Sequence, residues 1–120
     1  MLIKELKDCP EFIAGDETHL REILHPERDN LQIGYSIGHA VVKVNEKSLP
    51  HRLKTSEVYY ILSGNAIMYI NDEAKDVCTG DAVYIPPDAV QCIKNTGERD
   101  LVFLCIVYPA WCIKDEEILK

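Results

Sequence analysis

A chain of 120 residues with 47% hydrophobic residues and a net charge of −7 has enough apolar mass for one packed core, and too much for a disordered chain. It has no Lys/Arg cluster long enough to track phosphates, and its acidic balance repels an anionic bilayer, so neither nucleic acid nor membrane is an expected partner. Charges at Lys4, Glu5, Lys7 and Asp8 break any signal-peptide core, and no run approaches the roughly 20 apolar residues of a spanning helix, so a cytoplasmic protein is expected.

The first 30 residues read as an arm carrying one short helix, residues 16–24 (DETHLREIL). Asp16 is placed to cap it, acidic residues fill its first turn and Pro26 follows its end. From about residue 31 the texture becomes β-rich. LQIGYSIGHAVVKV is followed by SEVYYILSG, where Glu57, Tyr59 and Ile61 alternate with Val58, Tyr60 and Leu62. Residues 66–70 form the next strand and end in a turn at Asn71-Asp72. GDAVYIPPDAV holds a strand stopped by two prolines, and VQCIKN and DLVFLCIVY supply two more. Many short strands between regular turns argue for an all-β sandwich or barrel in a single domain, residues 1–120, with its core at about 31–108 and a tail at 109–120. In the tail, KDEEILK reads as a helical turn or a frayed end. Cys9, Cys78, Cys92, Cys105 and Cys112 show no C-x-x-C spacing and read as small buried hydrophobes.

Strand parity locates a candidate site. His51 and Leu53 share a face, as do Glu57 and Tyr59, and as do Gln91, Ile93 and Asn95. A closed barrel brings His51, Glu57 and Gln91 to one point. An imidazole nitrogen, a carboxylate and an amide oxygen there suit a divalent first-row metal. Taken singly, the same residues also read as a surface histidine, a solvated strand glutamate and a hydrogen-bonded strand amide.

PHRLKTSEVYYILSG and GDAVYIPPDAVQCIKN resemble the two cupin motifs. The first is carried by Asn45, His51, Leu53, Glu57 and Gly64, the second by Gly80, Pro86, Asp88, Gln91 and Asn95. The resemblance implies a double-stranded β-helix, the cupin jelly-roll barrel, with one pocket at its mouth, here preceded by the short N-terminal helix. It also implies a metal site with His51, Glu57 and Gln91 as ligands, holding Zn, Mn, Ni or Fe. Two departures stand out: Leu53 occupies the position of a second histidine, and Gln91 that of another. Asn45 and Asp88 stand where the motifs have glycine, and both residue types tolerate left-handed turns.

Around this centre, Arg21 and His25 lie four apart on the expected helix, which would close the barrel mouth. His25 is then a candidate acid/base beside Glu57, and Arg21 a candidate substrate contact. Tyr35 and His39 share parity on a strand, and Tyr59 shares the face of Glu57, so all three are candidate substrate contacts. The flanks of the second motif look most like the cupin domain of mannose-6-phosphate isomerases, which implies isomerisation of a sugar or sugar phosphate. The alternatives are a metal-free module binding a sugar or small acid, and a metal-dependent dioxygenase, against which the single motif histidine argues. The apolar faces of YSIGHAVVKV and LVFLCIVY exceed what one narrow core needs, so a homodimer is expected.

Overall fold

The computed structural model describes residues 1–119. The alternation expected at residues 57–62 extends through most of the chain and produces eleven strands: β1 Glu11–Ile13, β2 His19–Leu24, β3 Ser36–Val42, β4 His51–Leu53, β5 Ser56–Ser63, β6 Asn65–Ile70, β7 Glu73–Cys78, β8 Ala82–Ile85, β9 Gln91–Asn95, β10 Leu101–Tyr108 and β11 Glu116–Ile118. They form two antiparallel sheets, a six-stranded one in the order β1-β2-β3-β10-β5-β8 and a five-stranded one in the order β11-β4-β9-β6-β7. Among the described residues the only helical pieces are the 3-10 turns Leu6–Asp8 and Ile113–Asp115, and no helix is long and apolar enough to cross a membrane.

The inner faces meet on Ala40, Val42, Tyr59, Ile61, Met68, Ile93, Leu101 and Phe103, each less than 5% exposed. The Tyr59 and Phe103 rings pack with centroids 4.5 Å apart. At one end of the barrel Asn95 is fully used. Its Nδ2 donates to Val42 O at 3.0 Å and to Arg99 O at 2.8 Å, and its Oδ1 accepts from Gly97 N at 2.9 Å. Asn45 and Asp88 hold φ of 67° and 66°, so the two non-glycine residues in the motifs adopt the left-handed turns that glycine would supply.

The expected helix at 16–24 does not form. Asp16 Oδ1 accepts from Thr18 N at 3.1 Å and from Thr18 Oγ1 at 2.8 Å, closing a turn, and Glu17 sits at φ 73°. The chain then leaves the turn extended. HLREIL pairs with β1 on one side and β3 on the other, and this pairing overrides a weak helical preference. KDEEILK is likewise neither frayed nor mainly helical. After the turn Ile113–Asp115, β11 pairs with β4, Ile118 opposite His51; Lys120 lies outside the described residues.

Candidate functional site

Between the sheets, at the end opposite Asn95, lies a cavity of about 270 Å³. Its wall is mostly apolar, with Leu20, Ala40, Leu53, Phe103, Val107 and Trp111 among the lining residues. The ionisable groups on it are Asp16, Glu22, His51, Glu57 and Glu116, with Tyr59 and Cys105 beside them; no Lys or Arg lines it among the described residues. Glu22 is already matched by Arg28 at 2.8 Å.

β4, β5 and β9 deliver the central groups. His51 stands opposite Gln91 in the five-stranded sheet, and Glu57 stands between Ile85 and Val107 in the six-stranded sheet. Gln91 Nε2 donates to Glu57 Oε1 at 3.0 Å across the barrel, while Gln91 Oε1 is buried without a partner. His51 Nδ1 faces the carbonyl of Leu49 at 2.8 Å; a carbonyl only accepts, so Nδ1 carries a proton. Nε2 is then turned to Asp16 Oδ2 at 3.5 Å. The two contacts from Thr18 occupy Asp16 Oδ1, which leaves Oδ2 for the imidazole.

Burial dominates the electrostatics. It pushes the Glu57 carboxyl up to about 8; the hydrogen bond from Gln91 opposes this, and the charges of Asp16 and Glu116 add to it. Glu57 is therefore mainly a neutral acid at pH 7. Burial also raises Glu116, against the lowering effect of His51 and with the further raising effect of Asp16. The Cys105 thiol is raised far above its ordinary value, first by burial and then by these same carboxylates, which makes it a poor nucleophile.

The structure brings His51, Glu57, Gln91 and Tyr59 together. The other four predicted residues lie elsewhere, Arg21 and His25 because residues 19–24 are a strand rather than a helix. On β2, Leu20 and Glu22 face the cavity, so Arg21 faces out, where Nη1 donates to Cys9 O at 2.6 Å and Nη2 lies 3.9 Å from Glu11. His39 pairs with Arg21 in the sheet and shares its outward parity; Ala40 takes the inner position, and burial lowers the imidazole. Tyr35 precedes β3 and is exposed. His25 lies outside the cavity wall, with Nε2 2.8 Å from Trp111 O and Nδ1 accepting from Glu27 N.

Two site residues escaped sequence reasoning. Asp16 looked like a helix cap, and Glu116 lay in a polar tail with no strand signal. The one available hint was the adjacent acidic pairs Asp16-Glu17 and Glu116-Glu117. Cysteine placement also differs from expectation: Cys9 is buried, Cys78 is exposed and the other three are intermediate.

The donor set does not fit a divalent metal as arranged. Among the described residues no three His, Cys, Asp or Glu side chains lie close enough to share one ion. Leu53 fills the wall where a second imidazole would stand, and the Glu57 carboxyl is engaged by the Gln91 amide.

Two facing antiparallel sheets closing on one polar-centred pocket define a double-stranded β-helix protein. The Cupin domain family profile matches residues 38–107, and the chain belongs to that family. An uncharacterised protein of Methanocaldococcus jannaschii is 40% identical over 112 residues, spanning 91% of this chain and 87% of its own. The plu4264 protein of Photorhabdus luminescens superposes with a TM-score of 0.78 at 26% identity over 90% of this chain and 88% of that one. The mannose-1-phosphate guanylyltransferase ManC of Salmonella typhimurium is 29% identical over 82% of this chain, which spans only 22% of that enzyme. Structures at 16–18% identity include a polyketide cyclase and a nucleoside dehydratase, with TM-scores of 0.78 and 0.77; at that distance they show the fold alone.

Proposed function

We propose that this cupin binds a small molecule with an apolar body in its barrel cavity and moves a proton on it without a resident metal, as in an isomerisation or elimination. A single observation carries the reading: the Glu57 carboxyl, which burial pushes up to about 8, and the His51 imidazole, its Nδ1 proton held by Leu49 O, border one mostly apolar cavity. The His51–Asp16 pair, with the Nδ1 proton held by Leu49 O and Nε2 facing Asp16 Oδ2 at 3.5 Å, is the proton acceptor. Glu57, held neutral by burial and by Asp16 and Glu116, is the donor to an oxygen of the ligand. Gln91 positions Glu57. A sugar phosphate suits this wall poorly, since Arg21 faces away from the cavity and every unmatched charge on the wall is acidic.

Hydrogen exchange tests the reading without a known substrate. Small ketones and aldehydes are incubated with the protein in D₂O and followed by proton NMR. Wild type should exchange protons next to the carbonyl, and Glu57→Gln and His51→Ala should not. Binding without exchange would support the alternative of a ligand-binding module. Stoichiometric metal in the purified, untagged protein, lost in His51→Ala and Gln91→Ala, would overturn the metal-free reading and restore the metal set of His51, Glu57 and Gln91.

Five free thiols suit a reducing cytoplasm. We also propose a homodimer through the outer face of the six-stranded sheet. There Tyr60 and Leu62 are about 40% exposed beside Val58, Val102, Leu104 and Ile106. Sedimentation as a monomer at micromolar concentration would contradict this.

A further inference from the structure

Asp16 and Glu116 lie outside residues 38–107, on the two arms that flank the barrel, yet both reach the same cavity wall. The backbone holds them there. Leu49 N donates to Asp16 O at 2.8 Å, tying the N-terminal arm to the loop before β4. β11 pairs with β4 from the other side, Glu116 opposite Leu53. The two arms touch: a Cβ added to Gly15 would lie 3.4 Å from Glu116 Oε1, so that carboxylate sits against the residue next to Asp16. The wall thus carries four carboxyl groups, from Asp16, Glu22, Glu57 and Glu116, of which Glu22 is paired with Arg28, against one imidazole, with no Lys or Arg among the described lining residues. Arg28, which reaches the lining residue Glu22 at 2.8 Å, is also paired with Asp29 at 2.7 Å. Gln91 is not among the lining residues, but its Oε1, on the amide that reaches Glu57, is a buried acceptor with no donor.

Such a wall lacks a positive charge and is rich in hydrogen-bond acceptors. A metal ion is a poor complement, because no three ligating side chains are close enough to share it. An organic ammonium has molecular dimensions: its N–H groups reach separate acceptors while its carbon body covers Leu20, Leu53, Phe103 and Val107. We propose that the cavity selects a small amine, bound as its ammonium, with Asp16 and Glu116 as the groups that set this preference. The inference rests on reading the cavity as the ligand site.

Three probes of one shape test it: benzylamine, benzyl alcohol and benzoate, titrated into the full chain by NMR or calorimetry at pH 7. Benzylamine should bind about tenfold more tightly than benzyl alcohol, and benzoate most weakly. In Asp16→Asn and Glu116→Gln, thermal unfolding should show an intact fold. The amine advantage should fall several-fold in each, with alcohol affinity unchanged. Equal binding of amine and alcohol in wild type, or an amine advantage that survives both substitutions, would overturn the inference and leave the cavity reading standing. If none of the probes shifts resonances of the wall, the cavity reading itself falls and takes the inference with it. Displacement of benzylamine by one equivalent of Zn²⁺ or Mn²⁺ would also overturn it, in favour of a metal at these carboxylates.

Discussion

Gln91, Ile93 and Asn95 stand on one face of β9, yet they serve opposite ends of the barrel. Asn95 has every amide hydrogen bond it needs, to three backbone groups. Gln91, equally buried, has one contact to an ionisable side chain and one acceptor left bare. The first pattern is that of a group retained for stability. The second leaves a buried acceptor that the fold itself does not satisfy. The same strand thus carries a fully bonded and a partly bonded amide within five residues.

Substitutions along this strand sharpen the contrast. Ile93→Ala, at a fully buried position between the two, should cost about 2–5 kcal/mol in a denaturant titration. Asn95→Ala strands two carbonyls and one amide and should cost about 2–3 kcal/mol by the same measurement. Gln91→Leu should cost less than about 1 kcal/mol and show its main effect in ligand binding. A loss as large as that of Asn95→Ala would erase the distinction between the two ends.

Glu57 sharpens the comparison through pH. Its carboxyl has a value of about 8 in the fold against 4.5 ordinarily, so between these limits the folded chain holds a proton that the unfolded chain has lost. Stability is then greatest below about pH 4.5 as far as this group is concerned, falls as pH rises towards 8, and levels off above. Thermal unfolding across this window should show the decline in wild type and a flatter profile in Glu57→Gln. The smallest effect is expected for Arg21→Gln, which should leave probe binding unchanged, because that side chain faces away from the cavity.

The barrel was largely legible because its signals are local and periodic: alternation at residues 57–62, turns at Asn71-Asp72 and Gly80, and two motif spacings that include Gln91 and Asn95. The arms were not. HLREIL has no strong preference, and its strand state comes from hydrogen bonds to β1 and β3, partners that no short window reveals. That one misreading displaced Arg21 and His25 from the pocket, since a helix would have put them on one face and a strand splits them from Leu20 and Glu22. Glu116 was hidden for the same reason: its position is defined by pairing with Leu53, 63 residues earlier.

The arms also bear on how such a protein diversifies. The barrel interior is interlocked, so a new side chain there disturbs neighbours on both sheets. Asp16 sits in a turn and Glu116 on a three-residue edge strand, each joined to the barrel along one border. Exchanging either arm would recharge the cavity while leaving its load-carrying framework alone. Inheritance can thus keep one vessel and vary what it accepts by rewriting the two straps at its rim.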